Sequence, residues 1–103
     1  MTNILNKIKD KKLRDLLTAY SKLPNEFGLI DILSSFGISF RIDAFEAVIP
    51  KLEISEDKIY LGGFIIDGTL YGAYIEVKDT PVLRIGVEYY MLIPYKPKAE
   101  KGE

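Results

Sequence analysis

Glu76 and Glu88 are the two carboxylates that a strand reading places on one face of the C-terminal half of the chain, and paired carboxylates are the first candidates for acid–base chemistry. Their spacing argues otherwise. Four residues of displacement along a strand is about 13 Å, too far for two carboxyl groups to share one glycosidic bond. Arg84 supplies Glu76 with a simpler role as an ion-pair partner. Glu88 then stands alone on an apolar face, as an interfacial or structural group. The chain has no His and no Cys. The commonest general base, the thiolate nucleophile and the usual soft metal ligands are therefore missing, and disulfides are excluded. A non-catalytic protein with no metal and no cofactor is expected.

Basic residues give the second candidate chemistry. Residues 1–22 carry six Lys/Arg against two acids, whereas 23–103 carry eight against thirteen, for a net charge of −1. On a helix, Lys7, Lys11, Arg14 and Lys22 line up opposite an apolar arc and could track phosphates, which makes them candidate nucleic-acid contacts. An ordinary solvated helix face has the same pattern. The following helical segment offers Glu26 and Asp31 and no Lys or Arg, which disfavours docking in a major groove.

At 103 residues, 48% apolar and 28% charged, the chain is expected to form one globular domain over 1–93. The charged, proline-broken PYKPKAEKGE at 94–103 should be a frayed tail. No apolar run approaches bilayer thickness and the N-terminus is too charged for a signal-peptide core, so a cytoplasmic protein is expected. Abundant Lys, Glu and Ile without Cys, His or Trp would suit a thermophile.

The elements that must position these groups follow from periodicity. Residues 3–22 read as one helix with Ile4, Leu5, Ile8, Leu13, Leu16, Leu17 and Tyr20 on a broad arc. Pro24 ends it, Asn25 can cap EFGLIDILSSF, and Gly37 can stop that second helix. In ISFRIDAFEAVIP, alternation favours a short strand over 38–42. The Asp43/Glu46 spacing of a capping box then favours one helical turn stopped by Pro50. From Lys51 the period is two, giving LEIS, KIYLGGFII, TLYGAYIEV and VLRIGVEYYMLI. The predicted class is α+β, with two N-terminal helices on one face of a four- to five-stranded antiparallel meander.

Asp67-Gly68 predicts a type I′ hairpin. Running the register back from this turn sets Phe64 against Tyr71, Gly63 against Gly72 and Leu61 against Tyr74. For the next hairpin, placing Glu76 opposite Arg84 keeps apolar residues on a single face, with Ile75 against Ile85 and Tyr74 against Gly86. The apolar face should carry the helices. The other face holds Leu61, Gly63, Gly72, Tyr74, Gly86, Glu88 and Tyr90, a glycine floor rimmed by tyrosines. Strand glycines often mark bulges or twist, but an apolar, aromatic patch of this kind also suits association. A homodimer or a small protein-binding regulator or inhibitor using this face is the expected function.

Residues 29–53, LIDILSSFGISFRIDAFEAVIPKLE, resemble the helix-turn-helix core of winged-helix regulators. Leu33, Gly37-Ile38-Ser39 and the Phe45, Ile49, Leu52 spacing stand where that family keeps a packed helix, a turn and a second helix. The resemblance implies a nucleic-acid-binding regulator, the alternative function. Pro50 falls inside the implied second helix, and Asp43 and Glu46 would face phosphates.

Overall fold

The structure, a computed structural model, describes residues 3–38 and 42–87. Three helices, α1 Asn3–Asn6, α2 Lys11–Lys22 and α3 Glu26–Ser35, precede a short 3₁₀ turn at Ile42–Ala44. Among the described residues four antiparallel strands follow in spatial order β1-β2-β3-β4: Ala47–Ser55, Lys58–Ile66, Thr69–Glu76 and Val82–Gly86. The fold is α+β, helices then meander. The tail expected from residue 94 lies outside the described residues.

The first helical stretch is broken, where one helix over 3–22 was expected. Asp10 is the cause. Its carboxylate accepts hydrogen bonds from the N–H groups of Lys12 at 3.0 Å and Leu13 at 3.4 Å, starting α2 afresh. Arg14 Nη1 donates to the Ile8 carbonyl at 2.6 Å, occupying an acceptor left free by the break. Ile4, Leu5 and Ile8 are still buried, so the apolar arc survives the interruption.

α3 begins and ends as its sequence predicts. The Asn25 side chain accepts from Gly28 N–H at 2.8 Å. At the other end Gly37 takes φ +84°, Gly37 N–H donates to Ser34 O and Ile38 N–H to Leu33 O, a Schellman closure.

Residues 42–55 depart from expectation. After the 3₁₀ turn the chain extends directly into β1, so the helical turn of AFEAVI does not form and Pro50 lies within a strand. β1 is an edge strand among the described residues, where a missing N–H is tolerated. The second helix of the winged-helix resemblance is therefore absent: Ile49 and Leu52 sit in β1 and Phe45 just before it. The strand suggested for 38–42 falls largely on residues outside the description.

The hairpin at Asp67-Gly68 has φ +53° and +77°, as a type I′ turn requires. Gly68 N–H also donates to the Glu46 carboxylate at 3.0 Å. Pairing runs as expected from Ile66↔Thr69 through Gly63↔Gly72 to Gly62↔Ala73, and then slips by one. Leu61 is skipped and Tyr60 pairs with Tyr74. β1 slips opposite the same point, between Pro50 and Glu53. Gly62, at φ +102°, makes the double bulge possible. A Cβ there would overlap the Ile49 carbonyl oxygen and lie 2.8 Å from the Lys51 nitrogen.

The bulge exchanges faces. Ile59 and Leu61 join Phe64, Ala73 and Ile75 under the helices, in one core with Leu13, Leu17, Tyr20, Leu29, Ile32 and Leu33. Tyr60 moves to the opposite face. Between β3 and β4 the register differs from expectation by two residues: Ile75 opposes Leu83, Ala73 opposes Ile85, Tyr74 opposes Arg84 and Gly72 opposes Gly86. A shift of two keeps every side chain on its expected face.

Candidate functional site

The sheet face away from the helices is now a set of cross-strand rows. Ile49, Gly63, Gly72 and Gly86 stand side by side across all four strands. The neighbouring row is Glu53, Tyr60, Tyr74 and Arg84. The Tyr60 and Tyr74 rings meet at 5.2 Å with a 50° tilt, and Lys58 Nζ lies 5.9 Å from the Tyr74 ring centre. Glu76 accepts from Arg84 Nε at 3.2 Å along a diagonal, not across a direct pair, and lies 3.6 Å from Lys78 Nζ. The glycines do align, more strictly than expected.

Burial changes what that alignment offers. Leu61, expected on this face, is 0% exposed in the core on the other side, a consequence of the bulge. Gly63 and Gly72 are buried within the chain, Tyr74 is 9% exposed and Gly86 is half-buried. Glu88 and Tyr90 lie outside the described residues.

The basic stripe is dispersed. Lys11 pairs with Asp15 at 2.8 Å, and this contact holds the Asp15 carboxyl below the usual carboxylate range. Arg14 is committed to the Ile8 carbonyl. Lys7, beyond the end of α1, shares a cleft with Ile4, Glu56, Asp57 and Val77, where acids offset its charge. Lys22 is exposed at the end of α2. Among the described residues no three His, Cys, Asp or Glu side chains gather as a metal site, and no helix is long and apolar enough to cross a membrane.

A different surface carries two of the three large apolar groups exposed among the described residues, the third being Val87 just past β4. Leu23 is 70% exposed and Phe27 65%, on either side of the turn between α2 and α3. They border a groove of about 340 Å³ completed by Leu16, Ala19, Tyr20, Asn25, Gly28 and Asp31. Two close contacts shape it. A Cβ on Gly28 would stand 3.0 Å from Tyr20 Cδ1, so glycine lets α3 approach the ring closely. The other end of Tyr20 is fastened to the sheet: its hydroxyl donates to Leu61 O at 2.5 Å and accepts from Lys51 N–H at 3.1 Å. Burial pushes the phenol up to about 12, partly offset by the Lys51 N–H. The groove thus has a rigid floor and two unburied apolar rims.

The chain matches no protein-family model, and no characterised protein or solved structure is significantly similar to it.

Helix periodicity alone does not reveal this corner, because Leu23 and Phe27 fall outside both apolar arcs. That misfit is the available signal: two large apolar residues flank Pro24-Asn25-Glu26 with no place in the core stripe.

Proposed function

We propose that the chain is a non-catalytic protein-binding module that docks through the α2–α3 corner, either onto a second copy of itself or onto another protein that it regulates or inhibits by occupancy. The observation that carries this is the exposure of Leu23 and Phe27 beside a groove already floored by fixed side chains. Fully burying each side chain is worth about 1.5–3 kcal/mol, a gain left for a partner to realise. Aromatic anchors beside a pre-formed depression are a common seat of interface energy. The sheet face lends less support, since Gly63, Gly72 and Tyr74 are already buried. Nucleic-acid binding is also less supported, because Lys11 and Arg14 are engaged within the chain and Lys7 stands beside two acids.

Capture experiments test this with wild type and Leu23→Glu/Phe27→Glu as paired baits, against both a second tagged copy of the chain and an extract of its native source. A partner held by wild type and lost by the variant supports the proposal. Capture that is the same for both baits, or none from either source, contradicts it.

A further inference from the structure

We infer that the occupant of the α2–α3 corner is a second copy of the same chain, docked about a two-fold axis with α2 of each copy lying against α3 of the other. This rests on the binding function proposed above and names its partner. The exposed charges of α2 and α3 are divided by helix apart from Asp15 on α2, which is paired with Lys11, and of them Asp31 lines the groove itself. On α2, Lys12 and Lys22 are exposed, one at each end of the strip that includes Leu16 and Ala19. On α3, Glu26 and Asp31 are exposed, and that helix carries no Lys or Arg. A surface with a basic arm, an apolar middle and an acidic arm is complementary to itself under a two-fold rotation, which sets each basic arm on the partner's acidic arm. A parallel shift would instead oppose like charges. The apolar middle is self-complementary too, since Phe27 projects while the groove beside it is recessed.

The test is sedimentation equilibrium of the full chain from about 1 µM to about 1 mM, a range spanning weak and moderate affinities. The inference expects a monomer–dimer equilibrium that weakens with added salt. Phe27→Glu should raise the dissociation constant at least about thirtyfold. Lys12→Glu/Lys22→Glu and Glu26→Lys/Asp31→Lys should each be monomeric alone and form a mixed dimer when combined. Circular dichroism confirms that each variant is folded, and the mixed dimer supplies a positive signal that unfolding cannot mimic. A wild type that stays monomeric throughout overturns self-pairing; a different protein captured through Phe27 would then leave the binding function standing. A dimer that survives Phe27→Glu, or charge-reversed variants that do not combine, also overturns it.

Discussion

The hydroxyl of Tyr20 donates to the carbonyl of Leu61, 41 residues further along the chain, at 2.5 Å. Leu61 is the residue that β3 skips, so its carbonyl sits where the ladder is interrupted, and Tyr20 also accepts from Lys51 N–H across the matching slip in β1. One helix residue thereby closes a defect in two strands. Tyr20→Phe keeps the ring and removes the hydroxyl, leaving the Leu61 carbonyl without this donor. A loss of about 1–3 kcal/mol of unfolding free energy is expected in denaturant titrations, with the fold retained.

Gly62 and Gly68 both have positive φ but should respond very differently to alanine. At Gly68 a Cβ meets open space, so Gly68→Ala carries only the backbone penalty of about 1–2 kcal/mol. At Gly62 the Cβ would run into the Ile49 carbonyl, and β1 would have to move. Gly62→Ala should cost more than about 4 kcal/mol or prevent folding. Equal effects in the same denaturant series would refute the bulge geometry.

Alkaline stability follows from the same phenol. Its pKa is raised from 10.0 to about 12 in the folded chain, so folding favours the neutral form. The associated stability is complete below about pH 10 and is lost as pH rises through about 12. Unfolding free energies measured across that window should fall less steeply for Tyr20→Phe than for wild type. Parallel slopes would mean that the hydroxyl titrates as if exposed.

Asp10→Ala removes the acceptor that starts α2. A cost of about 1 kcal/mol is expected, with a loss of helical circular dichroism no larger than one turn. The exposed Asp15→Ala serves as a control, since a surface ion pair contributes little.

What the sequence conveyed and what it hid have physical reasons. The Asp67-Gly68 hairpin and the α3 caps were legible because each is specified by residues within a few positions of one another. The bulge was not, because Tyr20, which closes it, is remote in sequence. Gly62-Gly63 reads equally well as ordinary strand twist, and a register running straight through Leu61 puts that residue on the wrong face. The two-residue difference between β3 and β4 escaped for another reason: a period of two looks the same after a shift of two. The break at Asp10 was hidden by Ile8, whose burial suits a continuous helix as well as an interrupted one. Among the site residues, the Gly63/Gly72 pair follows from the hairpin turn, whereas Gly86 falls beside Gly72 and not beside Tyr74 as expected; neighbouring side chains then decide exposure, and pairing rules do not give that. Leu23 and Phe27 escape a reading by periodicity because they belong to neither helix's apolar arc.

Backbone amide chemical shifts followed through a dilution series of the full chain test the central claim most directly, since they report where association occurs. The account predicts concentration-dependent shifts confined to residues 12–31, strongest around Leu23 and Phe27 and abolished in Phe27→Glu. Shifts centred instead on Tyr60, Tyr74 and Gly86 would return the interface to the sheet, and a spectrum unchanged by dilution would contradict self-association through the α2–α3 corner.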